Sequence, residues 1–138
     1  MARVLGIDPG SRRCGVAVTD SLRTMAFPRP AVPVDDALFT TLKALIEEES
    51  VDLVVVGRPV ALSGNETAST KAADDFFRAL GEKISPVEIV QWDERLTTFE
   101  AKKSLSGAGL KAKSHRSRAD SAAAVIMLQN YVDALSSD

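Results

Sequence analysis

Short hydrophobic runs separated by polar segments predict the strands and helices of this chain. The runs at residues 4–7, 14–18 and 51–57 are rich in β-branched residues and are bounded by turn signals, which is typical of buried strands. Another strand is expected around residues 25–27, where three nearby prolines favour an edge position, and a fifth at residues 87–92. Apolar residues at helical spacing predict helices at residues 35–49, 69–80 with Gly81 at its end, 97–106, and 117–135.

The order of these elements predicts the fold class. The first three strands have no room for helices between them, so they must pair antiparallel. The later alternation of strands and helices implies parallel pairing through right-handed crossovers. We therefore predict an α/β fold with a mixed five-stranded sheet, its first three strands antiparallel, and helices on both faces. No repeat or linker interrupts the pattern, so residues 1–138 are expected to form a single domain.

The amino-acid composition is typical of a globular domain and limits the kinds of protein to which the chain can belong. Hydrophobic residues make up 45% of the chain and charged residues 26%, as in ordinary globular domains. Cys14 is the only cysteine, so it excludes an intrachain disulfide and is expected to fill core space. The chain shows neither a signal-peptide pattern nor an apolar run of membrane-spanning length. A cytoplasmic location without a membrane partner is therefore expected.

The charges are unevenly distributed along the chain. The net charge of −2 argues against a uniformly basic binding protein. Residues 101–119, however, contain no acidic side chain. They hold His115 and six basic residues: Lys102, Lys103, Lys111, Lys113, Arg116 and Arg118. This basic strip is interpreted either as a solvated surface or as a docking surface for phosphates.

Three carboxylates stand at the ends of predicted elements. Asp8 ends the first strand, Glu94 follows the last strand, and Asp120 opens the last helix. Ligand sites of open α/β sheets gather beside strand carboxyl ends, and clustered carboxylates repel one another unless a cation joins them. Oxygen-only ligands suit Mg²⁺ or Mn²⁺, which can activate water at a phosphodiester. Each acid also has a simpler interpretation, as a turn residue, a surface ion-pair residue or a helix-dipole partner respectively.

Four segments of the chain resemble one known family. They are residues 6–10 (Gly-Ile-Asp-Pro-Gly) with 15–20, residues 54–59 with 63–64, residues 92–98 (Trp-Asp-Glu-Arg-Leu-Thr-Thr), and residues 120–129. Together they resemble the YqgF family, also called RuvX, whose members are small ribonuclease-H-like proteins. Family members are described as nucleases of the 16S rRNA precursor and, earlier, as Holliday-junction-resolvase-like proteins. The resemblance covers essentially the whole chain, and the sequence departs from the family pattern at Arg58 and Ser121.

The resemblance implies an RNase H-like fold and cleavage of nucleic acid with Mg²⁺ or Mn²⁺. It places catalysis and metal binding on Asp8, Glu94 and Asp120. The leading hypothesis is a nuclease for the 5′ end of precursor 16S rRNA, acting as a monomer or homodimer on RNA that is free or part of a ribosomal particle. The residues expected to contact nucleic acid are Arg95, Lys111, Lys113, Arg116 and Arg118.

Three other functions remain open on the sequence. A Holliday-junction resolvase would act on branched DNA as a dimer with two opposed active sites. A phosphotransferase or ATPase would use residues 6–11 as a phosphate loop, but such folds need two domains of this kind. A non-catalytic RNA-binding module would use only the basic strip. Arg95 has its own alternative, a local pair with Asp93 instead of a contact with Glu94 or a phosphate.

Overall fold

The computed structural model describes residues 2–96 and 121–136. The five strands are β1 (Arg3–Asp8), β2 (Arg13–Thr19), β3 (Ala26–Pro33), β4 (Val51–Arg58) and β5 (Glu88–Asp93). The helices in the described ranges are α1 (Leu38–Glu48), α2 (Ala68–Ile84) and α3 (Ala122–Ser136). A single 3₁₀ turn, Glu94–Leu96, follows β5 directly.

The strands form one mixed sheet in the order β3-β2-β1-β4-β5. β1 pairs antiparallel with β2, and β2 pairs antiparallel with β3, whereas β1–β4 and β4–β5 are parallel pairs. This arrangement confirms the predicted five-stranded sheet with three antiparallel strands first. Because β1, β4 and β5 run in the same direction, their carboxyl ends meet at one edge of the sheet.

The sheet is covered on both faces, as the sequence predicted. On one face, α1 and α2 pack against alternate residues of the central strands and bury Leu5, Leu42, Val54 and Leu80 completely. On the other face, α3 packs against the intervening residues and buries Val4, Val55 and Leu128 completely. Cys14 is buried in the first of these cores, in the space-filling role expected of it. Burial on two faces explains why β4 is a continuous apolar run.

The bounds of several elements differ from the prediction. α1 begins at Leu38 instead of residue 35, because the Asp35 carboxylate accepts a hydrogen bond from the Ala37 amide and holds a turn there. β3 extends through all three prolines to Pro33, which is possible because it is an edge strand that pairs on one side only. The helix predicted at residues 97–106 and the segment 117–120 lie outside the described residues.

The prediction that Gly81 ends a helix is wrong. α2 continues for three more residues to Ile84, just before Ser85 and Pro86. Gly81 lies inside the helix, where a Cβ atom would come within 3.4 Å of Ile89 Cγ2, an ordinary van der Waals distance. Glycine inside a helix is tolerated when packing holds the helix, and the proline provides the stop that Gly81 was expected to supply.

Two glycine-to-alanine substitutions are expected to change stability in opposite directions. At Gly6 the new Cβ would lie 3.0 Å from Leu128 Cβ, so α3 must move away and we expect a loss of about 1–3 kcal/mol. At Gly81 the site has room, and the better helix propensity of alanine should stabilise the protein by up to about 1 kcal/mol. Urea denaturation of both variants checks these signs; a stabilised Gly6→Ala variant would contradict the close packing of β1 on α3.

Candidate active site

Asp8 lies at the carboxyl end of the central strand. It is the last residue of β1 and pairs with Gly15 of β2. On the other side, Ile7 pairs with Val56, so the next residue of β4, Gly57, lies beside Asp8 in the parallel register. Burial raises the pKa of the Asp8 carboxyl above its usual value, and a hydrogen bond with the Glu94 side chain acts in the opposite direction.

Glu94 meets Asp8 from the far side of β4. It begins the 3₁₀ turn after β5, and its carboxyl group lies over Gly57. Burial, the neighbouring charge of Asp8 and the hydrogen bond between the two carboxyl groups raise the pKa of Glu94 to about 8. Of two adjacent carboxyl groups in a buried place, one retains its proton. The structure therefore brings together two of the three predicted acids as a pair that shares a proton.

Gly57 makes room for this pair. A Cβ atom at residue 57 would lie 2.5 Å from Glu94 Oε2 and 3.0 Å from Met127 Sδ. Any larger residue would therefore push the Glu94 carboxyl group off β4. Gly57 is not among the site residues predicted from the sequence. The signal for it is the register of β1 and β4, which places a glycine beside the carboxylate that ends β1.

The carboxyl pair fits a divalent cation. Glu94 Oε2 is buried and has no hydrogen-bond partner among the described residues, although a buried acceptor left unsatisfied costs about 1–3 kcal/mol. Asp8 and Glu94 offer only oxygen atoms, the donors that Mg²⁺ and Mn²⁺ prefer. Within residues 2–96 and 121–136, no group of three or more His, Cys, Asp or Glu side chains is placed to hold a metal. The third predicted ligand, Asp120, lies outside those ranges.

Arg95 is engaged locally. Its Nε lies 3.0 Å from Asp93 Oδ2, its Nη2 lies 2.6 Å from the same oxygen, and its backbone amide donates to Asp93 Oδ1. The ion pair lowers the pKa of Asp93. The structure thus shows the local alternative, an Arg95–Asp93 pair directly beside Glu94. The other residues predicted to contact nucleic acid, Lys111, Lys113, Arg116 and Arg118, lie outside the described residues.

A second ion-pair network borders the same sheet edge. Arg58, the last residue of β4, donates to both carboxylate oxygens of Asp74 on α2 and to Glu66 in the preceding loop. Gln91 of β5 also donates to Asp74, at 2.8 Å. These bonds tie the ends of β4 and β5 to α2. They give Arg58 a structural role on the face of the sheet that α2 covers.

Comparisons with known proteins agree with one another. A family model described as RuvX, Holliday junction resolvase, matches residues 2–134. A protein of Lactococcus lactis subsp. cremoris (strain MG1363), named "Putative pre-16S rRNA nuclease", is 37% identical over 137 residues, which cover 96% of this chain and 95% of the relative. A relative of the same name from Oleidesulfovibrio alaskensis is 40% identical over 134 residues, 95% of this chain and 92% of its own length.

Solved structures show the same fold at low sequence identity. Thermus thermophilus RuvC in complex with a Holliday junction substrate has a TM-score of 0.67 and 16% identity, with 99% of this chain and 97% of that chain covered. The fowlpox virus resolvase in complex with Holliday junction DNA has a TM-score of 0.59 and 10% identity, with 96% and 98% covered. The RNase H-like fold predicted for this chain is thereby confirmed. None of the helices in the described ranges is long and apolar enough to cross a bilayer.

The pKa of Glu94 predicts how stability depends on pH without metal. The folded protein keeps a proton on Glu94 up to a pKa of about 8, whereas the unfolded chain releases it near the ordinary glutamate pKa of 4.5. Because the unfolded state then binds fewer protons, the free energy of unfolding should fall as pH rises from about 5 to 8. Glu94→Gln should flatten this part of the profile. Urea denaturation at several pH values in a chelator measures the difference, and equal slopes in the two proteins would contradict a shared proton.

The Gly57→Ala substitution tests whether the Glu94 carboxyl group needs the open space above residue 57 of β4. The added methyl group would displace the Glu94 carboxyl group, so we expect Mn²⁺ affinity to fall by about 10- to 100-fold, as when groups that orient a metal ligand are altered. Gly81→Ala, a matched substitution remote from the carboxyl pair, should leave the affinity unchanged. Calorimetric titration with Mn²⁺ provides the measurement, and wild-type affinity in Gly57→Ala would contradict the role assigned to this glycine.

Proposed function

The chain belongs to the RuvX family, and from this premise we propose that it is a divalent-metal-dependent nuclease that processes the 5′ end of precursor 16S rRNA. The observation that supports the chemistry is the buried Asp8–Glu94 pair, in which Glu94 Oε2 has no hydrogen-bond partner within the part of the chain that the structure describes. The names of the relatives at 37% and 40% identity support the substrate. We further propose that the protein acts in the cytoplasm, where that precursor is found.

Asp8, Glu94 and Asp120 are proposed to hold Mg²⁺ or Mn²⁺. Bound there, such an ion would make a water molecule more acidic and stabilise the oxygen that leaves phosphorus. Asp8 and Glu94 supply oxygen donors from two different strand ends, so each side of the ion would be held by a separate rigid element. Gly57 keeps the space between them open.

Glu94 must lose its proton before both carboxylates can bind a cation. Its raised pKa means that the metal-free pair carries about one negative charge at neutral pH. Cation binding would therefore release a proton, and it would be favoured as pH rises towards 8. The repulsion between the two carboxylates would thus be relieved by the proton on Glu94 in the metal-free protein, and by the cation when it is bound.

The basic strip is proposed to bind the phosphates that flank the cleaved bond. It comprises Lys111, Lys113, Arg116 and Arg118 together with Lys102 and Lys103, and it directly precedes Asp120 in the chain. Arg95 is proposed to contribute from the 3₁₀ turn that Glu94 begins, where its guanidinium is paired with Asp93. Phosphate contacts of this kind give affinity without sequence information, and they weaken with salt.

Cleavage of branched DNA by a homodimer is the second candidate. It is favoured by the description of the matching family model as Holliday junction resolvase. The same carboxyl pair would serve this reaction, but two copies would have to face opposite strands. Incubation with a four-way junction, together with mass measurement in solution, separates the two functions.

Asp8→Asn should abolish metal-dependent cleavage of a precursor 16S rRNA fragment, with a loss of more than about 100-fold. The substitution removes one negative oxygen donor from the pair but keeps the size of the side chain. Asp52→Asn is a matched control, because Asp52 is an exposed residue of β4 that pairs with Arg23. Gel analysis of cleavage in Mg²⁺ and in Mn²⁺ checks the expectation.

Two results of this experiment would contradict the proposal. Undiminished cleavage by Asp8→Asn would show that the carboxyl pair takes no part in the cleavage reaction. Wild-type protein that leaves the RNA intact but cuts a four-way junction, with the same dependence on Asp8, would replace precursor RNA by branched DNA as the substrate.

A further inference from the structure

The carboxylate of Asp74, on the second turn of α2, accepts hydrogen bonds from two neighbouring strands. Arg58, the last residue of β4, donates to it through Nε at 3.0 Å and through Nη2 at 3.1 Å. Gln91 of β5 donates to the same carboxylate through Nε2 at 2.8 Å. These bonds lower the pKa of Asp74, so its carboxylate is charged at neutral pH. One side chain of α2 therefore connects β4 to β5.

The start of α2 is itself fixed to the chain that leaves β4. Thr67 caps the helix, since its hydroxyl oxygen accepts a hydrogen bond from the Thr70 amide at 3.3 Å. The buried Thr70 hydroxyl donates in turn to the carbonyl of Pro59, the residue that directly follows Arg58. Asp74 lies four residues beyond Thr70, one turn further along the same helix face. The helix thus presents Asp74 from a position that is fixed relative to the end of β4.

The two strands joined in this way are those that place Glu94 over Gly57. The β4–β5 ladder ends at the pair Arg58–Asp93, and Glu94 is the next residue of the chain. β5 is the last strand in the sheet order and pairs only with β4 in the described ranges, and the end of such a strand opens more easily than a central one. If the end of β5 moved away from β4, the Glu94 carboxyl group would move relative to Gly57 and to Asp8.

We propose that Asp74 is a positioning residue for the cation: it holds the ends of β4 and β5 together and so keeps the Glu94 carboxyl group beside Asp8. This inference rests on the proposed function, since it takes the Asp8–Glu94 pair as the cation site. It adds that the affinity of the site depends on a carboxylate on the other face of the sheet. The Glu94 carboxyl group and Met127 of α3 lie on the same side of Gly57, whereas Asp74 belongs to α2, which covers the opposite face.

Glu49, which directly follows α1, provides a matched control. Its carboxylate accepts hydrogen bonds from Arg3 of β1 and, at 2.7 Å, from Arg29 of β3. Like Asp74, it connects two strands through their side chains, and its pKa is lowered by these bonds. Arg3 lies five residues before Asp8 on β1, about 17 Å away along an extended strand. Loss of either carboxylate should reduce stability, but only loss of Asp74 should weaken cation binding.

The charge of Asp74 also acts on a cation directly, and Arg58 separates this effect from positioning. Through space alone, loss of the Asp74 anion weakens the binding of a cation, whereas loss of the Arg58 cation strengthens it. Loss of the connection between β4 and β5 weakens binding in both cases. Arg58→Met removes the charge and the hydrogen bonds but keeps an unbranched side chain. The two explanations therefore predict opposite signs for this variant.

The test compares Asp74→Ala, Arg58→Met and Glu49→Ala with the wild-type full-length chain. Mn²⁺ affinity is measured by calorimetry at one pH and ionic strength, and stability is measured by urea denaturation of the same samples. We expect Asp74→Ala to weaken Mn²⁺ binding by about tenfold or more, as loss of groups that orient metal ligands does. Arg58→Met should also weaken binding, and Glu49→Ala should lose stability at wild-type affinity.

The outcomes separate this inference from the proposed function. Wild-type Mn²⁺ affinity in Asp74→Ala, or unchanged or tighter binding in Arg58→Met, would overturn the positioning role and leave the proposed nuclease intact. Equal losses of affinity in Asp74→Ala and Glu49→Ala would also overturn it, because affinity would then follow stability alone. Wild-type protein whose Mn²⁺ binding is unaffected by Asp8→Asn would instead refute the proposed cation site, and the inference with it.

Discussion

The close approach of two buried carboxyl groups, Asp8 and Glu94, is the constraint on which the site depends. Burial raises the pKa of both groups, the charge of Asp8 raises that of Glu94 further, and one Glu94 oxygen is buried without a hydrogen-bond partner among the described residues. Such an arrangement is unfavourable for a protein that has only to fold. It persists because the strands that carry the two residues are fixed by cores on both faces of the sheet. Packing in the two cores therefore keeps the two carboxyl groups adjacent although their proximity is itself unfavourable.

The strand order explains why residue 8 is an aspartate, residue 94 a glutamate and residue 57 a glycine. β1 and β5 are separated by β4, so their axes are about 10 Å apart. The longer glutamate side chain, placed just after β5, reaches over β4 towards the shorter aspartate that ends β1. It can do so only where β4 has no side chain, and that position is Gly57. Three residues remote in sequence are therefore linked by one geometric requirement of a parallel sheet.

Structural features that depend on the local sequence pattern were predicted correctly. Features that depend on the register between strands were not predicted. Runs of β-branched residues and the order of elements were enough for the mixed sheet, and element ends were enough to single out Asp8 and Glu94. Gly57 was not identified, because its role follows from the pairing of β1 with β4 and from the path of another side chain. Gly81 was misread as a helix end because tertiary packing against Ile89 outweighs its low helix propensity.

The distribution of charge gives the proposed cation a second role. Outside residues 101–119, the chain has 19 acidic and 11 basic residues, a formal net charge of −8. A polyanion approaching this part of the protein is repelled over about one Debye length, ~8 Å at physiological salt. Near the carboxyl pair the negative charge of the acids adds to this repulsion. A divalent ion on Asp8 and Glu94 would neutralise the charge of the two carboxylates at the point where a phosphate must come closest. Metal binding and substrate binding are therefore expected to be coupled through electrostatics, in addition to any direct contact between the ion and the phosphate.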